Sequence, residues 1–154
     1  MSDYDTDIVE WSEHQAALLR RRAAGEFVNE ADLDWLNIAE EIESVGSSQR
    51  NQLGSRIRTI IEHLMKLEAS PAIEPRPGWR ATIRRERVEI EELLEDAPSL
   101  RGTLALVIAK EVRRAARLVT ATMADYNETP LAEIQALAFT EEQVLGNWFP
   151  DAAR

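Results

Sequence analysis

Residues 35–67 decide the fold, and they read WLNIAEEIESVGSSQRNQLGSRIRTIIEHLMKL. Apolar residues recur here every three to four positions, the spacing that puts side chains on one face of an α-helix. The members of this stripe are Trp35, Ile38, Ala39, Ile42, Val45, Leu53, Ile57, Ile60, Leu64 and Leu67. We therefore expect helix from about Asp34 to Glu68, with this face buried. Because Gly46-Ser47-Ser48 weakens the middle, we expect either a kink there or a tight joint between two helices.

Helical periodicity extends through most of the remaining chain, and sustained alternation typical of strands is absent. We expect a first helix over 6–24, with Asp5 as its N-cap and Gly25 as its stop. Further helices are expected over 79–96 and 99–126, the latter capped by Ser99. The segment 70–78 holds three prolines and a glycine, which predicts a loop.

Near the C-terminus, short helices are expected over 131–138 and 140–146, and Trp148-Phe149 should dock on the bundle. The chain as a whole is predicted to be all-α. We expect a compact antiparallel bundle of four to five main helices plus short C-terminal helices. Its 154 residues are expected to form a single domain, 1–154, with a core from roughly 4 to 150.

The charge of the chain is uneven as well as acidic. The net charge is −10, and residues 1–46 alone carry 12 acidic and 3 basic residues, or −9. Residues 47–87 carry 4 acidic and 9 basic residues, or +5. The overall charge disfavours nucleic-acid binding, because phosphate is repelled by an acidic surface. We expect the two segments to attract each other when folded, and a local basic surface for an anionic ligand is the rarer alternative.

Composition also bears on the compartment. There is no cysteine, which rules out disulfides and thiolate chemistry and fits a reducing compartment. The first residues, MSDYDTDIVE, are acidic and form no apolar signal region, and no apolar run reaches the ~20 residues of a membrane span. We therefore expect a cytoplasmic protein that makes no contact with membrane.

The polar residues that could form a site are few. The sequence contains no nucleotide-binding glycine motif, no nucleophile elbow and no metal-binding His-Glu motif, so we expect neither cofactor nor metal. Glu40 and Glu43 share a helix face, and Arg80, Arg84 and Arg87 lie beside the apolar stripe of a later helix. These charges predict either an inter-helix salt-bridge network or a polar cleft.

Three more polar residues lie on or near apolar faces. Glu111 falls near the middle of its stripe, and a buried carboxylate must be paired, hydrogen-bonded or protonated. His63 lies at a stripe edge one turn before Lys66. The candidate polar cluster is thus Glu40, Glu43, His63, Lys66, Arg80, Arg84 and Glu111. A histidine at such an edge is usually a satisfied structural residue, and that interpretation is preferred here.

Several segments, in order, look like those of a known family: LDWLNIAEEIESVG at 33–46, HLMKL at 63–67, WRATI at 79–83, PSLR at 98–101 and WFP at 148–150. They resemble the bacterial domain-of-unknown-function family numbered twenty-nine, over nearly the whole chain from Tyr4 to Pro150. The resemblance implies an all-helical bacterial domain that usually occurs alone and has no established activity. A family site would lie at Glu40, Glu43, His63, Lys66 and Arg80. Ile38 and Val45 depart from the leucine that is commoner there.

Two hypotheses on function follow. The preferred one is a non-enzymatic interaction or regulatory module that binds a protein partner or a second copy of itself through exposed helix faces. The alternative is a small metal-assisted hydrolase or nuclease-like enzyme that uses a Glu/His/Lys/Arg cleft.

Overall fold

The computed structural model describes residues 3–150, and within this range it contains helices and no strand. The all-α prediction is confirmed: six α-helices account for most of the described residues, and four of them are long. The helices are α1 (Asp3–Thr6), α2 (Ile8–Ala23), α3 (Trp35–Ala69), α4 (Arg76–Asp96), α5 (Leu104–Asp125) and α6 (Glu141–Leu145). Short 3₁₀ turns lie at Glu30–Asp32, Pro98–Thr103 and Ile134–Ala136.

The chain divides into two compact units, with the boundary between Ser48 and Gln49. We call the described residues 3–48 the N-terminal unit and 49–150 the C-terminal unit. The expectation of a single domain stays a prediction.

The N-terminal unit has a small core and a hydrogen-bonded frame. Leu18, Val28 and Leu33 are its buried apolar cluster. The buried amide of Gln15 donates to the Asp32 carbonyl (3.1 Å) and accepts from the Asp34 backbone N–H (2.9 Å). This one side chain therefore ties α2 to the chain segment that leads into α3.

The start of α2 differs from the prediction. Asp7, not Asp5, is the N-cap, and its carboxylate accepts from the backbone N–H groups of Val9 and Glu10, both at 3.0 Å. The error arose because the acidic run offers three alternating aspartates that all fit a cap, and the first two lie in the separate short α1. The predicted stop is confirmed, since Gly25 follows α2 with φ of +83°, the left-handed region that favours glycine.

The long helix α3 is unbroken from Trp35 to Ala69, so the two-helix alternative at Gly46 is wrong. One glycine costs only about 1 kcal/mol in a helix, too little to end a helix of this length. The expected burial of its apolar stripe is correct for one half only. From Leu53 onward the stripe is buried, whereas Ile42 is 69% and Val45 66% exposed, which contradicts the prediction.

The core of the C-terminal unit is built from three helices. The residues of α3 that are fully buried include Leu53, Ile57, Ile60, Ile61 and Leu64. They share one apolar cluster with Ile83 and Ile90 of α4 and with Ile108, Ala115 and Val119 of α5. Trp79 packs against this cluster while remaining half-buried. The helical periodicity of residues 53–67 thus predicted the α3 part of this core correctly.

Two boundaries in the C-terminal unit correct the predictions. The loop ends at Pro75, and α4 begins at Arg76, because Pro77 is tolerated in a first helical turn where its missing N–H has no partner to lose. Ser99 does not cap α5; it lies in a 3₁₀ turn that ends at Thr103. Gly102, a poor helix former, lies in that turn.

Residues 131–150, which we call the C-terminal segment, cover part of the core. The helix expected over 131–138 is absent except for the 3₁₀ turn Ile134–Ala136. Ile134 and Leu137 are three apart, a spacing that suits a 3₁₀ turn, and both pack on the core. A capping box at Thr140 starts α6, and the expected docking of Trp148 and Phe149 is confirmed.

Candidate functional site

The seven residues of the predicted polar cluster lie in different surroundings. Glu40 and Glu43 are exposed on α3 in the N-terminal unit. The other five, His63, Lys66, Arg80, Arg84 and Glu111, belong to the C-terminal unit. Within that unit Arg84 and Glu111 line separate clefts. The joining of all seven into one site stays a prediction, as does the salt-bridge network expected between the acidic pair and the arginines of α4.

His63 is held by its own helix. Its Nδ1 lies 2.7 Å from the Thr59 carbonyl oxygen, and because a carbonyl only accepts, this nitrogen carries the proton. Burial lowers the pKa of His63 below its ordinary value; the Thr59 hydrogen bond opposes the shift and the Lys66 charge adds to it. His63 is therefore neutral near pH 7, with its Nε2 acting as a hydrogen-bond acceptor.

Lys66 interacts with an aromatic ring and a neighbouring carboxylate. Its ammonium lies 6.0 Å from the centroid of the Trp79 ring, at the outer range of a cation–π contact. Half-burial raises the pKa of Glu62, while the charges of Lys66 and Arg58 oppose this rise. These contacts are local and join the end of α3 to the start of α4.

Glu111 is the most deeply buried charged residue among those described, at 3% exposure. Its Oε2 lies 3.2 Å from Arg58 Nη1 and its Oε1 lies 3.1 Å from Arg114 Nη1. A side chain at position 54 would begin 3.4 Å from Glu111 Oε1, so Gly54 leaves room for the carboxylate beside α3. Of the alternatives expected for a buried carboxylate at this position, the structure shows pairing, with two arginines.

Arg87 fastens the C-terminal segment to α4. Its guanidinium donates to the carbonyls of Val144 (2.9 Å), Gln143 (2.8 Å) and Trp148 (2.7 Å). Burial, and to a lesser extent the charge of Arg84, lowers its pKa, and the ring centroid of Phe149 lies 4.9 Å away. The Arg87 guanidinium therefore has a structural role, because its hydrogen bonds hold the C-terminal segment against α4.

Sequence reasoning named Arg87 only as a possible partner of Glu40 and Glu43, and it missed the arginines that pair with Glu111. Arg114 could have been found, because it lies three positions after Glu111 and so faces it on one helix. Arg58 and Arg87 gave no local signal, because their partners lie 53 or more positions away in sequence.

The described residues give no support to a metal centre. Nowhere in residues 3–150 do three or more His, Asp or Glu side chains come together in a way that could hold a metal ion. The same part of the chain contains no helix long and apolar enough to cross a membrane. No feature here favours the hydrolase hypothesis over an interaction role.

An exposed apolar strip is the most conspicuous feature of the N-terminal unit. We call Trp35, Ala39, Ile42 and Val45 the 35–45 face. They lie within an arc of about 120° on α3. Trp35 is 48% exposed, in addition to the two highly exposed aliphatic side chains already described. Large apolar groups gathered on one strip of surface are typical of a binding surface, whereas isolated ones are ordinary.

Carboxylates border the 35–45 face on both sides. Glu43 follows Ala39 by one turn on one edge, and Glu41 lies beside Val45 on the other. The Tyr4 hydroxyl donates to Glu41 Oε1 at 2.6 Å, which fixes that carboxylate and raises the pKa of Tyr4 to about 12. The face is therefore an apolar strip with negative margins.

The fold and these surfaces define a class: an all-helical protein with an apolar helix face that is bordered by carboxylates. The model of the family described as Domain of unknown function DUF29 matches residues 4–149. The chain belongs to this family, as the resemblance in sequence implied. The searches found no match among curated proteins or among solved structures.

Proposed function

We propose that this protein is a helix-binding interaction module, and that the 35–45 face binds a basic amphipathic helix of a partner protein. The observation that carries this proposal is the exposure of Ile42 and Val45 on a helix whose later apolar residues are all covered. Burying one large aliphatic side chain contributes roughly 1.5–3 kcal/mol, so covering this face would supply substantial binding energy.

The shape of the face suits a helix. Trp35 and Ile42 are seven positions apart, with Ala39 between them, which is the two-turn repeat of helix-to-helix packing. Because Ala39 is small, it leaves a shallow depression between the side chains of Trp35 and Ile42, and a side chain of the partner can insert there. Recognition of an amphipathic helix through such anchors is a common mode of peptide binding.

Charge selects the kind of helix. The two bordering glutamates lie in a segment whose net charge is −9 over residues 1–46. Lysine or arginine beside the apolar stripe of a partner would pair with Glu41 and Glu43, whereas a second copy of the same face would bring carboxylates against carboxylates. Complementary charge gives specificity and faster association, so a basic partner is favoured over self-association.

The test is a titration of the full chain with two designed helical peptides. Both carry leucine at helical spacing; one has lysines beside the leucines and the other has glutamates at the same positions. We expect the basic peptide to bind at least about tenfold more tightly in calorimetry at low salt, and this preference to weaken as salt increases. Equal affinity for the two peptides would contradict the proposal.

Variants locate the binding surface. Ile42→Ser should weaken binding of the basic peptide about tenfold or more, because one buried aliphatic anchor is lost. Leu106→Ser is the matched control: Leu106 is 78% exposed but lies on α5, outside the face. An equal loss in both variants would show non-specific binding. Sedimentation of the unliganded chain tests whether a second copy of the chain occupies the face. A dimer that Ile42→Ser abolishes would assign the face to a second copy and would contradict the proposal of a basic partner helix.

A further inference from the structure

The two arginines paired with Glu111 line a second, chemically different surface. A cleft of about 610 Å³ opens beside them in the C-terminal unit. Its charged lining residues are Arg50, Arg58, Lys110, Arg114 and Glu111. Four of these residues are basic and one is acidic, so the cleft is positive although the whole chain carries −10.

We propose that this cleft binds a small molecule that carries a phosphate monoester. The anchors are Arg58 and Arg114, with Lys110 as a third positive group and Asn51 and Ser55 as neutral hydrogen-bonding groups. This inference is independent of the helix-binding face, which lies in the other unit.

Burial of Glu111 is what makes this more than a group of surface charges. Its side chain is 4% exposed, and each of its two oxygens holds one guanidinium by a single Nη1. A guanidinium has five N–H donors, so each arginine keeps most of its donors for another oxyanion. The carboxylate holds one end of each guanidinium in the cleft before any ligand arrives, which reduces the entropy that binding would cost.

The remaining lining supplies what a phosphate ester needs. Lys110 forms no ion pair among the described residues, and the side chains of Asn51 and Ser55 have no hydrogen-bond partner there. The half-buried side chain of Val107 adds apolar surface for the organic part of the ligand. The volume lies within the roughly 300–1,000 Å³ of small-molecule sites and greatly exceeds what inorganic phosphate would fill.

One carboxylate nearby opposes anion binding and limits its strength. Glu62 interacts electrostatically with both Arg58 and Glu111, and its half-burial raises its pKa. A dianionic phosphate in the cleft therefore competes with Glu62 for the Arg58 charge. We expect affinity in the millimolar to high-micromolar range, and a rise in affinity when Glu62 is replaced by glutamine.

The experiment uses phenyl phosphate as the probe, with inorganic phosphate and phenol as its two halves, all at constant ionic strength. We expect phenyl phosphate to raise the thermal midpoint of the full chain and to saturate in calorimetry, as a ligand bound to the folded state must. Inorganic phosphate should bind more weakly and phenol should not bind. Tighter binding of inorganic phosphate, or no saturable binding of phenyl phosphate, would overturn the proposal.

A matched pair of variants separates a site from general surface charge. Lys110→Gln and Arg113→Gln remove the same charge from the same helix, but Arg113 lines no part of this cleft. Lys110→Gln should weaken phenyl phosphate about fivefold, while Arg113→Gln should change it little. Equal effects would reduce the cleft to a diffuse positive surface. Arg114→Gln leaves Glu111 paired with Arg58, so it should fold and lose binding; retained binding in a folded Arg114→Gln would also contradict the assignment.

Discussion

The two halves of α3 carry similar residues at the same spacing and end in opposite environments. In the half that belongs to the C-terminal unit, Leu53, Ile57 and Ile60 have no exposed surface. In the half that belongs to the N-terminal unit, most of the surface of Ile42 and Val45 is exposed. Periodicity selects the helix and one face of it, but what packs on that face determines whether it is buried.

The difference lies in what each unit can supply as a cover. The C-terminal unit supplies α4, α5 and the C-terminal segment, whose apolar residues share one cluster with α3. The N-terminal unit has a buried cluster of only three residues, Leu18, Val28 and Leu33, against which Ile38 packs. A unit of this size cannot cover a second apolar strip on its own helix. This shortage is the physical reason to look for a partner at the 35–45 face.

The largest expected effect comes from the same substitution made in each half. Ile60→Ala should lower the free energy of unfolding by about 2–5 kcal/mol, because it leaves a cavity in a close-packed core. Ile42→Ala should change it by no more than about 0.5 kcal/mol, because the side chain is already in water. Urea denaturation followed by circular dichroism measures both. Similar losses in the two variants would mean that Ile42 is covered in solution.

The second prediction concerns the segment that covers the buried half. Arg87→Ala removes three charge-assisted hydrogen bonds to Gln143, Val144 and Trp148, and should cost about 2–3 kcal/mol. Arg85→Ala, an exposed change on the same helix, should cost about 0.5 kcal/mol or less. Limited proteolysis should cut the C-terminal segment of Arg87→Ala first. Unchanged protease resistance would show that apolar packing alone holds it.

The sequence was sufficient where one helix face meets a core built from other regular helices. It predicted the buried half of the α3 stripe, a short helix over 140–146 and the docking of Trp148-Phe149. It also predicted that Glu111 must be paired, hydrogen-bonded or protonated, because the cost of burying a carboxylate does not depend on which partner serves.

The remaining features depend on contacts that are distant in sequence. Nothing near Arg58 indicates Glu111, and nothing near Arg87 indicates the carbonyls it binds. Periodicity marked Ile42 and Ile60 as equivalent, although only one has a cover. The candidate cluster was therefore chosen by residue type and helix face, while the contacts that the structure shows at Glu111 involve two arginines outside it.

The third prediction compares a buried carboxylate with an exposed one, and its expected effect is smaller. Glu111→Gln keeps the shape of a buried side chain but removes the charge that holds two guanidinium groups, so it should cost about 1–2 kcal/mol. The cost stays moderate because Arg58 and Arg114 are 30% and 50% exposed and can be solvated. Glu43→Gln, on the exposed half of α3, should cost about 0.5 kcal/mol or less. Thermal unfolding of the two variants in parallel measures both costs. A larger loss of stability in Glu43→Gln than in Glu111→Gln would contradict this prediction.

The smallest effect is a pH dependence carried by the buried half of α3 through His63. Burial holds the pKa of His63 in the folded chain below its ordinary value of 6.5, so the unfolded chain binds a proton first as the pH falls. The contribution to stability is complete above about pH 6.5 and is lost as the pH decreases through the lower, folded-state pKa. Glu62 acts in the opposite direction, because its raised pKa favours proton uptake by the folded chain.

The difference in unfolding free energy between the wild type and His63→Gln, followed from pH 7.5 to 5, isolates the histidine. We expect the wild type to lose stability relative to His63→Gln on acidification, with a slope of at most about one proton. Parallel curves would mean that solvent reaches His63 as freely as it reaches the exposed half of the same helix.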